Sequence, residues 1–155
     1  ASMGQKTGLC LMGKREIENW FPQLTETDYA ITSPETPEYN CIAWAACDSE
    51  AWWWPDPFNV AFWPSDIPRE ETLEAFIQAY NSLRYVLCDT QDYEEGFEKI
   101  ALFEKNGKPS HAARQLNNGR WTSKLGKLED IEHTLEGLYG QEYGSLAIVM
   151  KRAKC

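Results

Sequence analysis

The 155-residue chain has only two histidines, His111 and His133, and its five cysteines, Cys10, Cys41, Cys47, Cys88 and Cys155, are spread too unevenly for any zinc-binding spacing. No metal and no cofactor is expected, and the odd cysteine count suits a reducing compartment. No apolar run approaches the roughly 18 residues of a membrane span. Nor does a charged segment lead into an apolar one at the N-terminus, where Ala1-Ser2-Met3 reads as a cloning scar. The expectation is a cytoplasmic protein without a membrane partner. Positive charge is scarce too. Fifteen Lys and Arg against 24 Asp and Glu leave a net charge of −9, so nucleic acid, bound chiefly through clustered cations, is not an expected partner.

Aromatic residues, by contrast, are plentiful. Seven Trp, seven Tyr and six Phe stand in a chain that is 43% hydrophobic and 25% charged, the composition of a folded globular protein. One domain with one core is expected over 1–155, with 4–37 as an N-terminal arm. In the arm, "REIENWFPQL" has a helical pattern and "TETDYAITSPETPEY" reads as extended. Asn40 predicts an N-cap for a helix from Cys41 to Cys47. The Trp- and Pro-rich stretch through Pro68 has no period and reads as a long loop. Leu73, Phe76, Ile77, Tyr80 and Leu83 then predict an amphipathic helix. Beyond it come an extended "YVLCD", a strand "FEKIALFEK", a hairpin turn at "NNG", a short helix near "LEDIEHTLEGLYG" and a final strand "GSLAIVMKR". Helices first, then about three antiparallel strands, a helix and a last strand make an α+β domain.

Few residues could carry chemistry. A thiol at a helix N-terminus meets free N–H groups and the positive end of the dipole, both of which favour thiolate, and Cys41 stands at such a place. A lone cysteine is more often a small core residue. Catalysis asks in addition for an imidazole that takes the thiol proton, and His111 opens a strand downstream. Cys10, Cys47, Cys88 and Cys155 have no such setting. His133, read as helical, faces solvent or meets a backbone group, with base or ring-orienting partner as its functional alternatives. Trp53, Trp54 and Trp63 form either a core wall or the lining of a substrate groove. Lys124, with Arg114, Arg120 and Lys127, could hold an acidic substrate group or simply guard a strand edge.

The order "NCIAWA" at 40–45, "KIALF" at 99–103 and "HAARQLNNGRWTS" at 111–123 resembles the papain-like cysteine hydrolases, in particular the compact NlpC-like branch that cleaves bacterial cell-wall peptides. The blocks "NCIAWA", "WWWP", "KIALF", "HAARQL" and "WTSKLG" are more similar still to a family of small bacterial proteins that brings no activity with it. The resemblance spans 38–126. It implies a papain-like α+β domain, a small antiparallel sheet packed on a central Cys-bearing helix. It also implies a thiol hydrolase or acyl transferase, with Cys41 as nucleophile and His111 as base, acting on a peptide or small acyl substrate. A third polar residue would follow the base on the next strand, and Ser123, twelve residues beyond His111, falls there. A three-residue turn at "NNG" would put Ser123 on the His111 face, whereas a two-residue turn would put Lys124 there. An imidazolium beside Cys41 would depress its thiol below the free value of about 8.5. The competing expectation is a non-enzymatic binding module on the same fold that uses the Trp-rich loop as its contact surface.

Overall fold

The computed structural model describes residues 14–154. Within them, helix α1 (14–20) runs into a 3-10 turn at Pro22–Glu26. Strand β1 (Ala30–Ser33), helix α2 (Cys41–Ala45), helix α3 (Leu73–Asn81) and strand β2 (Val86–Cys88) follow. The chain continues through β3 (Phe97–Lys105), β4 (Lys108–Gln115), β5 (Trp121–Lys124), β6 (Asp130–His133), a 3-10 turn at Glu136–Leu138 and β7 (Ser145–Ala153). The strands form one seven-stranded sheet in the order β1-β6-β5-β4-β3-β7-β2, antiparallel at every pairing. The fold is therefore α+β, dominated by its sheet. No described helix is long and apolar enough to cross a membrane.

Local chemistry explains the elements that position the site. Asn40 caps α2 because its amide supplies both kinds of group. Its Oδ1 accepts from Ala43 N–H (3.2 Å) and Trp53 N–H (3.0 Å), while its Nδ2 donates to the Trp53 carbonyl (2.7 Å). One side chain thus starts the helix and ties the Trp-rich loop to it. Thr72 caps α3 by accepting from Ala75 N–H at 3.1 Å. Between β4 and β5, Leu116 N–H donates to the Arg120 carbonyl at 2.7 Å. That bond closes a three-residue turn, Asn117-Asn118-Gly119, whose Gly119 takes a φ of 86°. Turn length fixes register, so Ser123 joins the His111 face and Lys124 the opposite one.

The two faces of the sheet bury separate clusters. Ile100, Leu102, Ala112 and Met150 pack against α2, α3 and the loop tryptophans Trp53 and Trp63. Ala101, Phe103, Ala113, Ile131 and Val149 point the other way, onto Ile17, Phe21, Leu24, Leu135 and Leu138. The described part of the expected arm accordingly contributes Ile17, Phe21 and Leu24 to a core and is not an appendage. It also contributes strand β1 at a sheet edge; residues 4–13 lie outside the described ones.

Two expectations are corrected here. The helix expected near "LEDIEHTLEGLYG" is strand β6 followed by a 3-10 turn. Leu128, Ile131, Leu135 and Leu138 recur at steps of three and four, as on a helix face. The ladders to β1 and β5 nevertheless override that spacing, Ile131 pairing with Ile31 on one side and Ser123 on the other. Helix α2 also stops short of Cys47, which is exposed and turns the chain away with a φ of 65°.

Candidate active site

Cys41 opens α2 and is nearly buried, with 7% of its surface exposed. Burial pushes its thiol up to about 11, against the N–H groups of Ala112, Ile42 and Cys41 itself and the charge of Lys124, all of which favour thiolate. The expected depression is thus not found: desolvation outweighs four favourable neighbours. The Ala112 N–H belongs to the residue after His111, so the thiol meets the β4 backbone beside the candidate base. It does so where the β4–β5 ladder has stopped, since that ladder registers Arg114 with Thr122 and Gln115 with Trp121 only.

His111 is fully buried on the other face of β4. Its ring stands edge-on to Phe103, at 5.3 Å between centroids and 81°, and lies flat on Tyr143, at 3.9 Å and 12°. Tyr143 is delivered by a tight turn closed by reciprocal Gly140–Gly144 backbone bonds of 3.0 and 2.9 Å. Gly144 is required there, because a Cβ would lie 2.0 Å from the Glu104 carbonyl oxygen and its φ is 72°. Nε2 of His111 is 2.8 Å from Ser123 Oγ. Its Nδ1 is buried and has no hydrogen-bond partner among the described residues, Cys41 included.

Ser123 serves two imidazoles. His133, fully buried on β6, brings Nε2 to 2.7 Å from the same Oγ and donates Nδ1–H to the Thr134 carbonyl at 2.6 Å. Burial pushes His133 down to about 4; the Thr134 carbonyl works against this and the Arg120 charge adds to it. Burial, with His133 second, also holds His111 well below the ordinary histidine value. At neutral pH the site therefore contains a neutral thiol and two neutral imidazoles, not a thiolate–imidazolium pair.

The remaining candidates fall outside this centre. Trp53 and Trp63 are 6% and 5% exposed, and their indoles donate to Asp48 Oδ2 (2.8 Å) and the Pro68 carbonyl (3.0 Å). Trp54 stands edge-on to Phe76 at 5.5 Å. Trp53 and Trp63 belong to the α3-side core, and Trp54 packs against it with part of its surface exposed. The Lys124 side chain is buried, its Nζ donating to the Gly126 (2.6 Å) and Leu128 (2.5 Å) carbonyls. Two of its three N–H donors go to that turn. Sequence reasoning missed Tyr143, which no motif marks, and the strand position of His133. The alternation Asp130-Ile131-Glu132-His133 was the available signal for the latter. No group of three or more His, Cys, Asp or Glu that could hold a metal ion occurs among the described residues.

Comparison with known families gives one match, a family described as a domain of unknown function, DUF7689, over residues 30–151; the chain belongs to that family. Neither the curated proteins nor the solved structures searched contain a match to the chain.

Proposed function

We propose, with membership of the DUF7689 family as premise, that the chain is a papain-like thiol hydrolase or acyl transferase of the NlpC-like kind, acting on an amide or ester. The observation that carries this reading is a buried imidazole with one nitrogen engaged by Ser123 and the other free, next to the peptide that contacts the Cys41 thiol. Because both groups rest neutral, the proton moves only as bond formation begins. Cys41 Sγ attacks the acyl carbon while its proton passes to His111 Nδ1, a step that requires the thiol and the ring, on opposite faces of β4, to come within hydrogen-bond reach in the substrate complex. The oxyanion meets the Cys41 backbone N–H, and the imidazolium returns its proton to the departing amine or alcohol. Water or another acceptor then opens the thioester, with the same ring as base. Ser123 orients the ring throughout. The resemblance suggests a peptide as the acyl donor, of the cell-wall kind in the NlpC-like branch.

The raised thiol favours a second reading, a binding module that keeps the fold without turnover. Hydrolysis of an activated thioester or acyl-peptide ester separates the two. Under the first reading turnover is measurable and vanishes in both Cys41→Ser and His111→Ala; a wild-type rate equal to that of Cys41→Ser leaves only the second.

A further inference from the structure

We infer that His133 is a positioning residue. With the Thr134 carbonyl behind it and Ser123 before it, it fixes His111 as the Nε2–H tautomer, so that Nδ1 is the atom that receives the Cys41 proton. The direction of each bond follows from the one before. A carbonyl oxygen only accepts, so His133 Nδ1 carries hydrogen at the 2.6 Å contact with Thr134. A neutral ring protonated there presents a bare lone pair at Nε2. The Ser123 hydroxyl, 2.7 Å away, has one hydrogen and spends it on that lone pair. Towards His111 the Oγ then offers lone pairs alone, and the 2.8 Å contact requires hydrogen on His111 Nε2. Nδ1 is left bare, and it is the buried nitrogen without a partner. A serine by itself could donate or accept with equal ease; it acquires a direction only because a backbone carbonyl ends the chain. The inference rests on the proposed catalytic pair for its chemical meaning, but the tautomer can be read without turnover.

Long-range proton–nitrogen correlation spectra of the 15N-labelled chain at pH 7 report which ring nitrogen of each histidine carries hydrogen. In the wild type, His111 is expected as a single Nε2–H form and His133 as Nδ1–H. In His133→Leu the buried Ser123 hydrogen has only the His111 ring left to meet. Meeting it puts the ring hydrogen on His111 Nδ1, itself buried and without a partner, so each tautomer leaves one buried hydrogen unpaired and the single Nε2–H form is expected to give way to a mixture of both tautomers. Carbamidomethylation of Cys41 by iodoacetamide is expected to slow by about twofold in the same variant, as the share of His111 with a bare Nδ1 falls. His133→Gln, whose amide offers an oxygen to Ser123 and an N–H to Thr134, should restore both readouts. Wild-type His111 found as Nδ1–H, or an unchanged His111 tautomer in folded His133→Leu, overturns the inference. Should His133→Leu fail to fold, the wild-type spectrum still decides. If the tautomer is as stated while Cys41→Ser retains full turnover, the positioning stands and the hydrolase reading fails.

Discussion

The two faces of the sheet keep their buried polar groups by different means. On the α2 face several are tied to the backbone, beside the side-chain pairs Tyr39–Asp130 (2.7 Å) and Trp44–Thr122 (3.0 Å): Lys124 gives its ammonium to two turn carbonyls, Asn40 makes three bonds to the Ala43 and Trp53 peptides, and Cys41 faces amide N–H groups. On the opposite face neutral side chains are tied to one another, through Ser123, and a single carbonyl anchors one end. Backbone ties fix position alone. A side-chain relay also fixes the direction of every hydrogen, which is what a proton-accepting nitrogen needs. Position is therefore fixed on one face and protonation on the other, and the thiol meets the β4 backbone beside His111 where the β4–β5 ladder ends.

The largest effects should come from the apolar wall of each face. Phe76→Ala removes a fully buried ring packed against Trp54 and Trp63 and should cost about 3–5 kcal/mol in urea unfolding. Phe103→Ala should cost a similar about 3–5 kcal/mol. The two then differ at the site, because only Phe103 touches the His111 ring. A changed His111 spectrum in Phe103→Ala but not in Phe76→Ala keeps the faces functionally distinct; the reverse would erase the distinction.

Next in size is acid. Both imidazoles are held below their unfolded value by burial, so between pH 6.5 and about 4 the unfolded chain binds more protons than the folded one and stability falls as pH falls. His133 alone, pushed from 6.5 to about 4 at full burial, should contribute a loss of about 3 kcal/mol across that window. His111 adds in the same direction. Urea midpoints at pH 7 and 4.5 measure it, and His133→Gln should flatten the profile. A wild-type profile as flat as the variant's would mean that the relay face is not dry.

Legibility in the sequence followed the range of the interactions. Helices α2 and α3 could be read because Asn40 acts on an amide three residues away and the apolar residues of α3 recur at helical steps. Ser123 could be placed because one turn length decides which residues of β5 share a face with His111. Strand β6 could not, since its partners are β1 and β5 while its own leucines keep helical steps. His133 was lost with it, as a register decides which side a strand residue faces. Tyr143 reaches His111 from a turn whose path depends on the close approach of Gly144 to Glu104. The raised thiol was likewise illegible: helix position is local, whereas desolvation is a property of the assembled core.

Asn40 tests the α2 face at a smaller scale. Asn40→Ala leaves the Ala43 and Trp53 N–H groups and the Trp53 carbonyl without their partner, an expected loss of about 2–3 kcal/mol. Asn40→Asp keeps the acceptor but gives up the donor and buries a carboxylate, so it should not rescue. Full rescue by Asp would mean that the cap alone matters and that the loop is held elsewhere.

The smallest effect lies at the border of the relay. Arg120 pairs with Glu132 at 2.9 Å, both about a third exposed on their side chains (28% and 30%), and donates to the Asp28 carbonyl. An exposed pair of this kind contributes about 0.5 kcal/mol, so Arg120→Gln should barely move the urea midpoint. Its charge, however, helps hold His133 low. Removing that charge lets the His133 value rise toward 6.5, which narrows the acid-sensitive window from below and makes the loss of stability on acidification slightly smaller. Stability at pH 7 and the His133 titration should thus respond unequally to one substitution. A large drop at pH 7 with an unmoved His133 would assign Arg120 to the fold and detach it from the relay.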